Sequence, residues 1–241
     1  MSELIFLCDF DGTITQDDTS HVILNHFTGE RWIPVNDAWR RFEITTEDRV
    51  RRQFGLFETS EEELGKVVRQ VAIDPHFPAF VDWCSRNGHE LKIVSDGFDF
   101  CIDRILSQHN LGHLEYLANH LSFQDGSLIL DFAHQNPDCQ MCGNCKWMVS
   151  KEAQRDGRIV YIGDGLSDRG GAILASWIFA KGLLAEYCSV NRIPFIPYDS
   201  FSDILDVLRS GKLAEYPSSQ GKMLDSGGRL PCQEGLSPQA D

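Results

Sequence analysis

The chain has 241 residues, 36 of them Asp or Glu and 22 Lys or Arg, giving a formal net charge of −14 with 42% hydrophobic and 24% charged residues. That size suits one large domain or a core with an inserted subdomain, and the composition excludes collagen-like, low-complexity and wholly disordered chains. The negative charge opposes the phosphate neutralisation that drives nucleic-acid binding, and no stretch approaches the ~20 apolar residues that span a bilayer, so neither nucleic acid nor a membrane is an expected partner.

Met1-Ser2-Glu3 carries no basic region, and the short apolar segment after it stops at Asp9, so a cytoplasmic protein is expected. Leu4-Ile5-Phe6-Leu7-Cys8 reads as a buried parallel strand that delivers Asp9 and Asp11 at its C-terminal end. Gly12 lets the chain turn there, and Thr13 can fix the turn. Two carboxylates one residue apart repel each other unless a cation or a shared proton intervenes. A solvated Asp-x-Asp-Gly turn is the plain alternative for this motif alone.

Residues 16–85 lack a convincing strand and carry amphipathic stretches over 18–27, 36–44, 46–54 and 60–71, which predicts a helical insertion able to act as a lid. Arg31, Arg40, Arg41, Arg49, Arg51 and Arg52 fall in it, mostly as solvated helix faces, with one or two free to steer an anion into a cleft. The next strand, 91–94, ends in Ser95-Asp96-Gly97, a hydroxyl and a flexible backbone suited to a phosphate oxygen. A helix is expected over 98–109, then a hairpin of 117–123 and 128–132 about the Asp125-Gly126 turn.

Cys139, Cys142 and Cys145 form C-x2-C-x2-C, with His120 and His134 upstream. Three thiolates and an imidazole would satisfy a structural Zn2+. Buried or reversibly paired thiols are the favoured reading, because the usual zinc signature has two separated Cys pairs. Lys146 opens a helix over 146–155, and Gly163-Asp164-Gly165-Leu166-Ser167-Asp168 follows a strand over 159–162. Further strands at 177–180 and 195–196 and a helix at 202–209 complete an α/β alternation. It predicts an open sheet with right-handed crossovers and a ligand site at the strands' carboxyl ends. From Pro217 to Asp241 periodicity is lost, which predicts a disordered tail.

From residue 4 to about 208, these features in this order resemble the haloacid dehalogenase (HAD) superfamily. Its motifs are a strand-ending Asp-x-Asp-Gly-Thr, a strand-ending Ser or Thr, a Lys, and an acidic pair after another strand. The insertion resembles the helical cap of the subgroup that holds phosphoserine phosphatase. Cys8-Asp9-Phe10-Asp11-Gly12-Thr13-Ile14-Thr15, Cys142-Gly143-Asn144-Cys145-Lys146 and Phe179-Ala180-Lys181-Gly182-Leu183-Leu184 look like the methionine-salvage phosphatases acting on 2-hydroxy-3-keto-5-methylthiopentenyl-1-phosphate.

The resemblance implies a Rossmann-like parallel-sheet core over 1–15 and 86–216, with a helical cap over 16–85. It implies Asp9 as nucleophile and Asp11 as general acid and base. Mg2+ would be held by the Asp9 carboxylate, the Asp11 backbone carbonyl and Asp164, with Asp168 either a further ligand or a support behind the ligands. Ser95, the Gly97 amide and Lys146 would hold the phosphoryl oxygens of a small phosphorylated metabolite. Asp11 favours a phosphatase over a dehalogenase, since an alkoxide needs a proton to leave and a halide does not.

In one place the sequence departs from this pattern. After Ser95 the methionine-salvage and phosphoserine phosphatases usually show Gly-Gly, whereas Asp96-Gly97 here resembles phosphocholine and phosphoethanolamine phosphatases. Asp96 could select a substrate ammonium, or cap the following helix, the reading its position favours. A phosphotransferase or mutase would use the same Asp9 chemistry with another acceptor. A non-catalytic phosphate-sensing protein would be expected to have lost Asp9, Asp11 or Lys146, and all three are present.

Overall fold

The computed structural model describes residues 4–139 and 141–219. Among them, seven strands form one sheet: β1 (Leu4–Cys8), β2 (Glu90–Phe98), β3 (Glu115–Gln124), β4 (Ser127–Asp131), β5 (Arg158–Gly163), β6 (Trp177–Ala180) and β7 (Ile196–Pro197). Their order is β4-β3-β2-β1-β5-β6-β7, and every neighbouring pair is parallel except β3 with β4. All five residues of β1 are buried, as a central parallel strand covered on both faces requires. The chain passes from β1 to β2 on one side and returns to β5 on the other, so a crevice opens beyond the carboxyl end of β1.

Successive β1 side chains serve opposite faces of the sheet. Phe6 and Cys8 join one core cluster, whereas Ile5 and Leu7 join another with Tyr161, Ile178 and Leu184. On the first face Phe6 meets Phe80 edge-on at 5.3 Å, and Phe77 and Phe80 lie 4.9 and 5.1 Å from Phe201. Burying such a ring contributes ~1.5–3 kcal/mol.

The expected insertion holds five helices: α1 (Thr19–Thr28), α2 (Ile33–Arg40), α3 (Thr46–Phe54), α4 (Glu61–Val68) and α5 (Phe77–Arg86). Asp18, Thr45 and Ser60 cap α1, α3 and α4 by accepting from backbone N–H groups in the first turn. The helix expected over 36–44 instead starts at Ile33 and ends at Arg40, where Phe42 turns the chain with φ 60°. Entry to and exit from the helical segment lie side by side: Thr15 bridges Ile73, Gln16 N donates to the Ala72 carbonyl at 2.9 Å, and Asp74 N donates to that of Ile14 at 2.8 Å. The expectation of 16–85 as one insertion therefore overran. Beyond that crossing α5 packs on β2 and on α10 (Phe201–Arg209), because Phe77 and Phe80 belong to the aromatic cluster under the sheet.

The rest of the chain supplies α6 (Asp99–Gln108), α7 (Lys146–Ala153), α8 (Arg169–Ala172) and α9 (Gly182–Val190). Sequence periodicity did not point to α9, whose run Gly-Leu-Leu-Ala-Glu-Tyr-Cys-Ser-Val carries Glu186 as its only charged residue. The hairpin is as expected, with Asp125 at φ 50° and Gly126 at φ 79° forming its two-residue turn. Of the expected tail, Ser219 is buried and bonds to the Ser176 and Ala175 carbonyls at 3.0 and 2.9 Å, which anchors the segment after Pro217. The remainder, 220–241, lies outside the described residues. Among the described residues no helix is long and apolar enough to cross a membrane.

Candidate active site

Every sequence-predicted chemical residue except the thiol run meets at the crevice beyond β1. Asp9 leaves β1 with its N–H still bonded to the Ile162 carbonyl at 2.9 Å, and it is only 4% exposed. The chain then turns at Gly12, with φ 78°, where an added Cβ would stand 2.6 Å from Asp164 Oδ2. Only glycine permits both that backbone and that approach. Thr15, rather than Thr13, fixes the turn: its hydroxyl accepts from Gly12 N at 3.1 Å. Thr13 instead donates to Asp164 Oδ1 at 2.9 Å and joins the β1 loop to the β5 loop.

Lys146 arrives from the first turn of α7, buried, with its ammonium against Asp9 Oδ1 and 2.7 Å from Asp168 Oδ1. Asp168 is fully buried and accepts from four donors: Lys146 Nζ, the Tyr161 hydroxyl at 2.9 Å, and the backbone N–H groups of Asp164 at 3.1 Å and Gly165 at 2.8 Å. These bonds occupy both its oxygens and join Lys146, Tyr161 and the Asp164 loop. Tyr161 was not legible as a site residue, because in sequence it is one more apolar position of a buried strand.

Asp9, Asp164 and Asp168 bring carboxylate oxygens within 4.8 Å of one another. Burial, then repulsion from Asp168, pushes the Asp9 carboxyl well above its ordinary range, and the same causes push Asp164 up to about 6. Three carboxylates against one ammonium leave an excess of negative charge that an oxygen-seeking divalent cation would offset. The donor set therefore fits Mg2+, and Asp9 and Asp164 are the members of it that line the cavity.

Asp11 stands beside this cluster. Its Oδ1 accepts from Thr19 N at 3.1 Å, at the first residue of α1, and its Oδ2 from the Ser95 hydroxyl at 3.3 Å. Burial, then the nearby charge of Asp18, raises Asp11 to about 6. Gly97 N in turn donates to Ser95 Oγ at 2.8 Å. Asp96 does not cap α6, which starts without a side-chain cap; instead its Oδ1 accepts from Asn144 N at 2.6 Å.

Above these groups lies a cavity of about 610 Å3, a volume suited to a small metabolite. Asp9, Asp11, Asp96 and Asp164 line its floor, and Trp32, Trp39 and Arg49 its helical wall. The indole N–H groups of Trp32 and Trp39 are bonded to Asn25 at 2.9 Å and Thr46 at 3.1 Å, so the rings offer apolar surface. Among the arginines singled out by sequence, Arg40 and Arg49 reach this cavity, while Arg41 and Arg51 pair with Glu43 and Glu47.

Zinc, the less favoured of the two readings of the thiol run, is not supported. Among the described residues, Asp9, Asp164 and Asp168 are the one group with ligand atoms close enough for an ion. His120 is engaged by Asp99 at 2.5 Å, and Cys145 is buried at the start of α7 while Cys142 borders a small pocket with Trp39 and Met141.

Comparison with known proteins agrees with this geometry. The family model for haloacid dehalogenase-like hydrolases matches residues 6–172. The 2-hydroxy-3-keto-5-methylthiopentenyl-1-phosphate phosphatase of Geobacillus kaustophilus is 30% identical over 86% of this chain and 96% of its own, and that of Brevibacillus brevis 28% identical over the same shares. In structure, a phosphoserine phosphatase bearing an analogue of the phospho-aspartyl intermediate superposes with a TM-score of 0.68 at 18% identity, covering 87% of this chain and 99% of that one. A substrate-bound phosphoserine phosphatase gives 0.67 at 21% identity, covering 86% and 98%. With that family model spanning more than half its length, the chain belongs to the haloacid dehalogenase-like hydrolases, as one of their phosphatases.

Proposed function

We propose that this phosphatase hydrolyses small phosphomonoesters through an aspartyl-phosphate on Asp9, with Mg2+ as cofactor and 2-hydroxy-3-keto-5-methylthiopentenyl-1-phosphate as the substrate. The observation that carries the reading is the buried Asp9 carboxylate at the cavity floor, held by Lys146 and flanked by Asp11 and Asp164. Asp9 attacks phosphorus, and the bond to the leaving oxygen breaks as Asp11 gives that oxygen its proton. Water then attacks the same phosphorus, its proton passes to Asp11, and the bond to Asp9 breaks to release phosphate. A pKa of about 6 lets Asp11 serve in both states near neutrality.

Ser95, the Gly97 N–H and Lys146 hold the phosphoryl oxygens. Asp9, Asp164 and the Asp11 carbonyl would hold Mg2+, which would supply positive charge against the repulsion between carboxylate and phosphate. Helices α1 to α4 act as the cap, excluding water and offering Trp32 and Trp39 to the leaving group.

Two observations favour the methylthiopentenyl substrate: its phosphatases are the curated relatives, and apolar indole faces suit a thioether tail. Arg49 points the same way. Its Nε is buried without a partner, and its guanidinium lies 4.2 Å from the Trp39 ring, which suits a substrate oxygen and opposes an ammonium. Phosphoserine, whose carboxylate could also meet Arg49, is the second reading. A phosphate-release screen over the methylthiopentenyl compound, phosphoserine, phosphoethanolamine and phosphocholine tests the choice, with the first expected to give the highest kcat/KM. A preference for phosphoethanolamine would overturn it, and transfer to added alcohols in place of water would mark a phosphotransferase.

Metal binding has a readout of its own. Asp164 is raised from an ordinary value near 3.8 to about 6, so its ionised form costs the metal-free protein stability as pH rises through that window. The rise in Tm caused by Mg2+ is expected to grow between about pH 5 and pH 7, as the proton that competes for Asp164 leaves. Asp164→Asn should flatten that dependence. A Tm response to Mg2+ equal at both pH values would remove Asp164 from the ligand set.

A further inference from the structure

Asp96 stands where the pattern described above carries glycine, and its surroundings give it a task. Pairing between β2 and β3 slips between Val94, opposite Leu117, and Phe98, opposite Asn119, so four steps on β2 match two on β3. Such a bulge pushes Ser95, Asp96 and Gly97 out of the ladder and toward the cavity, and it interrupts the strand-to-strand hydrogen bonding at this point. Asn144, fully buried, bonds at the gap: its Nδ2 donates to the Ser95 carbonyl at 3.1 Å and to that of Leu117 at 3.0 Å. Its backbone N–H goes to Asp96 Oδ1 at 2.6 Å, while Asn119 Nδ2 holds the Asp96 carbonyl at 2.7 Å. Gly143 keeps this approach open, since a Cβ there would lie 2.8 Å from Asn119 Nδ2.

Lys146 follows Asn144 by two residues, and its N–H bonds to the Asn144 carbonyl at 3.1 Å. The same loop is tied at its other end to the helical cap: Thr46 N donates to the Met141 carbonyl at 2.9 Å, and Gln135 Nε2 to Glu47 Oε2 at 2.9 Å. Without an anchor on the sheet, the segment carrying Lys146 would follow the cap. We propose that Asp96 and Asn144 form a clasp that registers Lys146 against Ser95 and Asp9, and that Asp96 is a positioning residue acting through Asn144 rather than a reader of the leaving group. The inference rests on Ser95 and Lys146 being the groups that hold the phosphoryl oxygens. The Asp96 to Asn144 bond is the shortest member of the clasp, at 2.6 Å.

The test uses the full chain with Asn144→Ala, Asp96→Gly, the double variant, and Lys146→Ala as reference. Inorganic phosphate is the inhibitor, and p-nitrophenyl phosphate and phosphoethanolamine are the substrates. Each clasp variant is expected to weaken inhibition by phosphate about tenfold and to lower kcat. Asp96→Gly removes the bond from the Asn144 N–H, and Asn144→Ala removes the two bonds to the Ser95 and Leu117 carbonyls; if these act as one clasp, the double variant should lose no more than the worse single. The ratio of kcat/KM between the two substrates should stay within about twofold. Should Asn144→Ala fail to fold, Asp96→Asn, which keeps a neutral acceptor, is expected to weaken phosphate inhibition about threefold at an unchanged substrate ratio.

A fall in Tm with phosphate inhibition and kcat intact would reduce the clasp to a structural contact and overturn the proposal. A substrate ratio that moves with Asp96→Gly but not with Asn144→Ala would overturn it in favour of selectivity. If Lys146→Ala leaves phosphate inhibition unchanged, the reading of the site fails and the clasp with it. A normal Lys146→Ala loss beside unaffected clasp variants refutes the clasp alone.

Discussion

Asp9→Asn is expected to lose turnover by ~10^4-fold or more on every phosphomonoester while the protein stays folded. The amide keeps the shape of the carboxylate but lacks the charge that makes its oxygen a nucleophile. The fold should tolerate it because Asp9 is held at a cost. Burial and the neighbouring Asp168 both disfavour its ionised form, and Lys146 retains Asp168 at 2.7 Å when Asp9 is neutralised. Tm near neutral pH should therefore be unchanged or higher. Activity within about 100-fold of the parent would contradict the nucleophile, and an unfolded variant would contradict the electrostatic reading.

Asp11→Asn should keep its surroundings, since an amide can still accept from Thr19 N and still meet the Ser95 hydroxyl, the partners of the present carboxyl at 3.1 and 3.3 Å. What it loses is the transferable proton. Alkyl phosphates, whose alkoxides leave poorly unless protonated, are expected to slow by ~10^2–10^4-fold. p-Nitrophenyl phosphate, whose phenolate needs little help, should lose at least tenfold less. Equal losses on the two classes would show that Asp11 supports the β1 loop without moving a proton.

The sheet was legible because parallel strands buried on both faces leave continuous apolar runs. β1 ended where Asp9 interrupts one, and β6 fell on residues 177–180 as expected. The motifs at Asp9, Ser95 and Asp164 were legible for the same reason, each following such a run, whereas Lys146 follows a loop and opens a helix. Helices were harder where amphipathicity fades, as in α9, and α5 was assigned to the insertion because a helix's local pattern does not say which surface it covers. Long-range partners left no trace at all. Tyr161 looked like strand filler, and Asn144 like a loop residue, until Asp168 and the β2 bulge stood beside them. Asp96 misled, because an acidic residue before a helix suggests a cap, whereas its carboxylate turns back to the Asn144 N–H.

Acid quenching of the enzyme during turnover of a 32P-labelled phosphomonoester, followed by peptide mapping, tests the proposed chemistry most directly. The phosphoryl group is expected on Asp9, with the acid stability and alkaline lability of an acyl phosphate, and it should be absent from Asp9→Asn. Label on any other residue, or phosphate release by Asp9→Asn at the parent rate, would contradict it.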